Sequence, residues 1–430
     1  MVARVKEGYK KTEVGVIPED WEVKQLDEVC LKIQDGTHFS PTLGGNDYLY
    51  ITSKNLGYGI LDTSNAECID AIQHKAIFQR CDVRKGDLLL TKDGANTGNA
   101  ALNHLDEEFS LLSSVAFLRF DIRKYDPAYY LQQILTVAGQ KRIKDQMVGN
   151  AITRITLEKI RKLKFPSPPT LLEQTAIGEA LSDMDGLISS IKKLIAKKQN
   201  IKQGALQELL TGRKRLSGFG GEWDVKTMDE LFNFSGGFSA SREQLSKDGY
   251  CYLHYGDIHG ANKTFINVDR EYISIPKLDI PLNKITKDKM LEHGDAVFVD
   301  ASEDDEGTSK HIIVCNPKNI PYISGLHTIV SKSKDKTLSN EYKQFCFCSR
   351  DVKKQFKFYA VGTKVSGISR SNIAKIVITL PPSIKEQTAI AKILSDMDEE
   401  IEILTTKLNK YKAIKQGMMQ ELLTGKRRLV

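Results

Sequence analysis

The segment Glu173-Gln-Thr-Ala-Ile177 begins a stretch of the chain that occurs a second time, starting at Glu386. The two copies, 173–216 and 386–429, align without a gap and are identical at 24 of 44 positions. Chance does not produce such agreement at a constant separation of 213 residues. The chain therefore contains a tandem duplication.

Each copy has the signals of one long helix. Thr170 and Ser383 stand three residues before Glu173 and Glu386, which predicts a capping box at each helix start. About 40 helical residues, at 1.5 Å each, would form a rod of roughly 60 Å. The sequence thus predicts two rods of the same length.

The far end of each predicted helix is marked by Gly212 and Gly425, which suit the left-handed backbone of a C′ position. Basic residues follow both glycines and favour the negative end of the helix dipole. Between the two ends, apolar residues recur every three or four positions, which is the spacing of a coiled-coil seam. The seam positions are Leu181, Met184, Ile188, Ile191 and Ile195, and Leu394, Met397, Ile401, Leu404, Leu408 and Tyr411.

Identity is concentrated at the two ends of the repeated helix, whereas the middle keeps only its apolar period. Packing along a seam would not by itself dictate the polar identities. We therefore expect both copies to dock the same partner, at two equivalent sites. The candidate partner-binding residues are Asp183, Asp185, Gln207, Asp396, Asp398 and Gln420.

The duplication extends beyond the helices. Trp21 and Trp223, the only two tryptophans, lie in matching segments, and Gly86-Asp87 matches Gly294-Asp295 before an apolar run. The order is therefore globular domain, helix, globular domain, helix, with boundaries at 1–165, 166–217, 218–380 and 381–430. The globular parts mix both periodicities, which predicts an α/β (mixed α+β) fold in which the two helices pair as an antiparallel coiled coil. Predicted strands are Tyr48–Ser53, Asp87–Thr91, Val115–Phe120, Gly249–Tyr255, Ala296–Asp300 and His311–Cys315, and helical periodicity covers Pro127–Asp145 and Asn340–Phe356.

Composition narrows the class of protein. The chain has 430 residues and a net charge of +7, which favours a polyanionic partner without requiring one. The sequence has no apolar run long enough for a membrane span, so no membrane association is expected. Seven cysteines without paired spacing are typical of free thiols in a reducing compartment, so a cytoplasmic location is expected.

The sequence offers no catalytic constellation. It lacks the phosphate-binding loop, the dinucleotide-binding glycine pattern and the tetrapeptide of amino-methyltransferases. The spacing of Glu19, Asp20 and Lys24 faintly resembles that of a nuclease, but an exposed charged turn beside a tryptophan explains it better. No metal site, no catalytic residue and no cofactor is predicted for this chain.

Polar loops beside the predicted strands carry the residue types that contact phosphates and base edges in DNA. The loops at 36–47 and 300–309 have no counterpart in the other half of the chain. A shared scaffold with dissimilar loops suits two sites of one kind that recognise different targets. The candidate DNA-binding residues are Thr37, His38, Lys54, Asn55, Lys92, Asn96, Thr97, Arg154, Ser241, Arg242, Asp257, His259, Lys310, Lys364 and Arg370.

The doubled order of variable domain and helix resembles the specificity (S) subunit of type I restriction–modification enzymes, and the likeness covers essentially the whole chain. The segments that carry it are EQTAI (173–177), LSDMD (181–185), QELLTG (207–212), DGTHFSP (35–41), GDLLLTKDG (86–94) and HYGDIHG (254–260). The resemblance implies that each target recognition domain binds one half of a bipartite site in double-stranded DNA. It further implies that the paired helices set the separation of the half-sites and dock two methyltransferase (M) subunits. Restriction (R) subunits would complete the complex, and S-adenosylmethionine, ATP and Mg²⁺ would belong to those partners.

Two other functions remain open from the residues alone. One is a self-contained methyltransferase or nuclease with its own two-site recognition, and the other is a coiled-coil scaffold without DNA recognition. An activity assay on the isolated chain separates the first from the resemblance. Competition binding against mixed-sequence DNA separates the second.

Overall fold

The computed structural model describes residues 6–147, 153–261, 263–302, 307–362 and 366–430. The chain divides into two compact units. One comprises Met1–Lys192 with Thr406–Val430, and the other comprises Lys193–Thr405. Each long helix contributes its first part to one unit and its last part to the other, so the compact units do not follow the order of the sequence repeat.

The first globular segment is built from short elements. Its strands are β1 (Tyr9–Thr12), β2 (Gly15–Pro18), β3 (Glu22–Gln25), β4 (Cys30–Asp35), β5 (Tyr48–Ile51), β6 (Glu67–Ile69), β7 (Leu88–Thr91), β8 (Ala100–Leu102), β9 (Ser110–Leu111), β10 (Val115–Phe120) and β11 (Lys164–Ser167). Its helices are α1 (Leu26–Val29), α2 (Ala71–Phe78), α3 (Pro127–Leu135), α4 (Val137–Gln146) and α5 (Leu157–Arg161), and the long helix α6 (Leu171–Leu209) follows.

The second globular segment repeats this order with additions. Its strands are β12 (Asp224–Thr227), β13 (Phe232–Gly236), β14 (Leu245–Ser246), β15 (Tyr250–Leu253), β16 (Phe265–Asn267), β17 (Lys277–Leu278), β18 (Ala296–Val299), β19 (Ala301–Ser302), β20 (His311–Cys315), β21 (Tyr322–Ser324), β22 (Thr328–Ser333), β23 (Ser366–Gly367) and β24 (Val377–Leu380). Its helices are α7 (Met228–Leu231), α8 (Tyr255–His259), α9 (Asn340–Cys346), α10 (Arg350–Tyr359) and α11 (Arg370–Ile373), and the long helix α12 (Ile384–Leu422) follows. Short 3₁₀ turns lie at Ser53–Asn55, Arg242–Gln244, Leu282–Lys284, Lys287–Lys289 and Gly307–Ser309.

The central sheets of the two segments share one topology. The strand order β4-β10-β7-β8 corresponds to β13-β22-β18-β20, and the second sheet adds β16 parallel to β20. Strand β7 is apolar without alternation because both of its faces are covered: Leu88 and Leu90 join one core cluster, while Leu89 joins another. Strand β18 divides in the same way. The predicted mixed α/β fold is confirmed.

The two segments with helical periodicity are each interrupted once. Thr136 has an extended backbone (φ −68°, ψ 157°) and its hydroxyl accepts a hydrogen bond from the Gly139 amide, so α3 ends and α4 begins there. Between α9 and α10, Ser349 has an extended backbone and its hydroxyl accepts a hydrogen bond from the Val352 amide, so α10 begins after it. A side chain at Gly139 would come within 2.2 Å of the Gln133 carbonyl oxygen, so this turn requires glycine. Apolar periodicity alone does not reveal such a break in a helix, because the apolar residues on both sides of it keep the helical spacing.

The long helices begin and end where the sequence predicts, but only half of the capping box predicted at Thr170 and Glu173 forms. The Glu173 amide donates to the Thr170 hydroxyl at 3.2 Å. The Glu173 carboxylate, in contrast, accepts hydrogen bonds from Arg428, at the end of the other repeat. A buried carboxylate gains more from a guanidinium than from one exposed backbone amide, which explains the difference.

The predicted seam residues are buried or half-buried in the described structure. Leu181, Ile188 and Ile191 are buried in one helix, as are Leu394 and Leu408 in the other. The remaining seam residues are half-buried. In the first unit, Asp185 contacts Lys415 and Glu173 contacts Arg428, so the helices run antiparallel.

Candidate functional site

In the first segment, the polar loops meet at one end of the central sheet. Asp35 ends β4, and Lys92 directly follows β7. The Lys92 amide donates to the Ser114 carbonyl at 2.8 Å, and Asp93 forms a bridge with Arg154. Loops that are far apart in sequence therefore form one polar surface, as the DNA-binding prediction requires.

A buried carboxylate organises this surface. The side chain of Asp35 is 5% exposed and lies 3.1 Å from His38 Nε2, 3.4 Å from Arg80 Nη2 and 3.5 Å from Lys92 Nζ. Lys92 also lies 2.9 Å from Asp93. Lys92 is thus held in an internal ion-pair network, with a side chain that is only 10% exposed.

The candidates of the first segment fall into two groups. His38, Lys54, Asn96 and Arg154 are exposed, whereas Thr37, Asn55, Lys92 and Thr97 are buried. The buried ones have structural partners: Asn55, for example, accepts from the Thr52 amide and donates to the Asp62 carbonyl. Sequence reasoning missed Arg80, whose side chain is 58% exposed, because nothing in the sequence places the loop after α2 beside Asp35.

The second segment forms a corresponding surface around Arg242. Its Nη2 lies 3.3 Å from His254 Nδ1 and 3.4 Å from Asp257 Oδ1. Burial lowers the pKa of His254, and the positive charge of Arg242 lowers it further. His254 is therefore neutral near pH 7, and its ring nitrogen accepts a hydrogen bond from the Gly256 amide.

A second group of contacts on this surface involves His259. His259 Nε2 lies 3.0 Å from the Ser302 hydroxyl, and Lys310 Nζ donates to the His259 carbonyl at 2.5 Å. Among the candidates, Ser241, Arg242 and Arg370 are exposed, while Asp257, His259 and Lys310 are half-buried. Lys364 lies outside the described residues.

Three residues outside the candidate list, His327, Asp300 and Tyr255, also belong here. His327 has a left-handed backbone (φ 58°) that is unusual for a residue other than glycine. Its Nδ1 lies 3.3 Å from Asp300 Oδ1, and its ring meets that of Tyr255 edge-on at 5.6 Å. Tyr255 lies in the segment HYGDIHG (254–260), which the sequence analysis singled out. His327 precedes β22, and no sequence motif around it indicates a role in this surface.

The repeated aspartates of the long helices have two different environments. Asp185 accepts from Lys415 Nζ at 2.7 Å and from Gln132 at 2.9 Å, in the first unit. Asp398 pairs with Lys202 in the second. Within each unit, these two half-exposed aspartates therefore link the two long helices.

The other repeated aspartates face outwards. Asp183 and Asp396 are exposed, and within the described part of the chain Asp396 pairs with Lys392, one turn earlier on its own helix. Gln207 is half-buried and Gln420 is exposed. Each copy of the helix therefore keeps at least one predicted docking residue that is accessible to a partner. Asp185 and Asp398 also pair with lysines of the other long helix.

Two features are absent from the part of the chain that the structure describes. It contains no group of three or more metal-ligating side chains. None of its helices is long and apolar enough to cross a membrane.

Comparison with known proteins identifies the family. Two stretches, residues 18–203 and 220–413, match the type I restriction modification DNA specificity domain. The MjaVIII specificity subunit of a type I restriction enzyme from Methanocaldococcus jannaschii is 26% identical, with 98% of this chain and 96% of that one covered. The MjaIX specificity subunit from the same organism is 22% identical, with 87% and 86% covered.

Solved structures show the same fold. The S subunit of a type I restriction–modification system from M. genitalium superposes with a TM-score of 0.61 at 17% identity, covering 94% of this chain and 96% of that one. A chain from a study of complex assembly and conformational transition of the type I R-M system gives 0.52 at 14% identity, covering 95% and 99%. The chain belongs to the type I restriction–modification DNA specificity family and carries two specificity domains in tandem.

Proposed function

We propose that each specificity domain of this chain binds one half of a bipartite site in double-stranded DNA. The observation that carries the proposal is the pair of loop surfaces at the same end of topologically matching sheets. The scaffold is shared, while the side chains differ: one surface carries Asp35, Lys92 and Arg80, and the other carries Arg242, Asp300 and His327. Two related surfaces with different hydrogen-bonding groups suit two different base sequences.

The outward-facing repeated residues support a second part of the proposal, which is that the helices dock two methyltransferase subunits. Asp183 and Asp396 occupy equivalent positions and are exposed. Two identical partners need two similar surfaces, and a duplicated helix supplies them. Restriction subunits would then join the assembly.

The chain itself is proposed to be a non-catalytic recognition subunit that acts in the cytoplasm. S-adenosylmethionine, ATP and Mg²⁺ would be bound by the methyltransferase and restriction subunits. The sequence motifs for these ligands are absent from this chain, which supports the division of labour.

The test is reconstitution. The purified chain with S-adenosylmethionine and DNA should transfer no methyl groups, and adding the cognate methyltransferase subunit should produce methylation at one bipartite motif. Turnover by the chain alone would favour a self-contained enzyme. Failure of the reconstituted complex to prefer any sequence over mixed-sequence competitor DNA would favour a scaffold.

A further inference from the structure

The residues that follow the central strands β7 and β18 occupy the same position in the two domains. Lys92 follows β7, donates its amide to the Ser114 carbonyl and accepts from the Ile155 amide. Asp300 follows β18, donates its amide to the His327 carbonyl and accepts from the Ile368 amide. The neighbouring strands agree, since Thr91 pairs with Val115 and Val299 with Thr328.

The side chains at this shared position are opposite in charge and in hydrogen-bonding capacity. Lysine only donates hydrogen bonds, whereas an ionised aspartate only accepts them. Lys92 is neutralised by Asp35 and Asp93 and is almost fully buried. In the second domain, Gly236 stands where the first has Asp35, as the pairing of Gly236 with Ile329 and of Asp35 with Ala116 shows.

Asp300 is therefore placed differently from Lys92. Its side chain is 34% exposed, although Oδ1 is itself buried, 3.3 Å from His327 Nδ1 and without a hydrogen bond from the described residues. Because Oδ1 is buried, the acceptor that the exposed part of the carboxylate can offer at this end of the sheet is Oδ2.

The neighbouring backbone is unusual at the same place. His327 has a φ of 58°, and its equivalent Ser114 does not share the positive φ. Such conformations persist where the surrounding structure holds them, and they are frequent at binding sites. The turn leaves the His327 side chain 52% exposed beside Asp300, with the Tyr255 ring on its other side.

We propose that Asp300 determines specificity in the second half-site by accepting a hydrogen bond from an exocyclic amino group, either N4 of cytosine or N6 of adenine, in the major groove. Carboxylates pair with such amino donors, and bases without one present only acceptors or a methyl group at that position. His327 positions the carboxylate and is not itself assigned a base. The inference rests on the proposed DNA recognition by this domain.

The test uses the complex of this chain with its cognate methyltransferase subunit. The methylated motif is mapped for the wild type, for Asp300→Ala and for Asp300→Asn. Asparagine keeps a carbonyl acceptor while losing the charge. We expect Asp300→Ala to lose roughly five- to tenfold discrimination at one position of the second half-site, the lower end for a base contact. Asp300→Asn should retain most of that discrimination, and the first half-site should stay unchanged in both variants.

Asp229→Ala is the matched control. Asp229 is an exposed acid of the same domain that precedes β13, at the opposite end of the sheet, so its loss should leave the motif intact. An unchanged motif in Asp300→Ala would overturn the assignment. Equal loss in the Ala and Asn variants would also overturn it, because the carboxylate would then act through charge or structure.

A second measurement guards against misfolding of the Ala variant. Wild-type binding is measured on duplexes in which each adenine or cytosine of the second half-site is replaced by the base without its amino group. No loss of affinity at any such position would overturn the proposal. A wild-type complex that recognises no bipartite motif would contradict the proposed function as well, so the two failures are distinguishable.

Discussion

Arg215 and Glu386 form a two-pronged ion pair although they are 171 residues apart in the chain, with Nε and Nη2 at 2.6 and 2.8 Å from the two carboxylate oxygens. Glu386 is 1% exposed. Arg428 and Glu173 make the equivalent pair in the other unit. In each unit, the end of one long helix is thus fastened to the beginning of the other, and Trp223 and Trp21 lie against the two arginines.

Replacing Arg215 by methionine should destabilise the second unit, because Glu386 would remain buried without its partner. Breaking a buried pair from one side costs about 3–5 kcal/mol, and the partial exposure of Arg215 favours the lower end. Urea unfolding of the purified chain measures the change. Arg213→Met, at an exposed position of the same turn, is the control and should change the free energy of unfolding by no more than about 0.5 kcal/mol. Equal effects would show that the pair contributes nothing specific.

Substituting an outward-facing aspartate and substituting a paired aspartate of the repeated helix should have different effects on docking and stability. Asp183→Lys should lower the affinity for one methyltransferase subunit by roughly tenfold or more. A partner surface that binds an aspartate is basic, so a lysine at this position would be repelled by it. The substitution should leave the unfolding of the free chain unchanged. Asp185→Ala should instead lower stability by about 1 kcal/mol, through loss of the half-exposed pair with Lys415. Native mass spectrometry at limiting concentration counts the bound subunits, and full occupancy by two in Asp183→Lys would contradict docking there.

Exchanging residues 218–380 for the same region of a relative should change one half of the methylated motif and preserve the other. Each central sheet is covered on both faces by its own core clusters, so a domain carries its loops as one body. Mapping methylated bases in cells that express the hybrid with the methyltransferase subunit gives the result. A change in both halves would show that the domains do not recognise DNA independently.

Lengthening both long helices should widen the unread gap between the half-sites. Four residues added after Lys192 and four after Thr405 keep the Lys202–Asp398 and Asp185–Lys415 pairs in register within their units. Four residues add about 6 Å and roughly 40° beyond a full turn. DNA advances about 3.4 Å and turns roughly 35° per base pair, so the gap should grow by one base pair, or at most two. An unaltered gap would mean that the helices do not set it.

Stability should fall in mild acid because of His311. Burial lowers the pKa of His311 to about 4, so the folded state resists a proton that the unfolded chain accepts below about 6.5. The unfolded state then binds more protons between these values, and the free energy of unfolding decreases as the pH falls through that window, by up to about 3 kcal/mol. His311→Phe should remove this part of the slope, since its neighbours Phe298 and Phe347 are aromatic. Urea titrations of both proteins at pH 7 and pH 4.5 provide the comparison.

The sequence by itself determined the duplication, the two long helices, the mixed α/β class and the family. These features depend on local or repeated patterns: capping residues, an apolar period and segments identical at one spacing. The strands β10 and β20 also begin and end where their apolar runs do. Such signals survive because each is set by residues close together in the chain.

Only the tertiary structure decided which polar residues face outwards and which are bound internally. Lys92 and Asp185 are residue types that often contact DNA or a partner protein. In the structure, however, Lys92 pairs with Asp35 and Asp185 pairs with Lys415, each distant in sequence. The local sequence predicts Glu173 to be a capping residue, whereas its carboxylate pairs with Arg428 near the end of the chain. Long-range ion pairs follow from how the helices pack, and a single sequence does not encode the pairing of charges in any local pattern. For the same reason, the equivalence of Lys92 and Asp300 is visible only in the hydrogen bonds of two sheets with matching strand order.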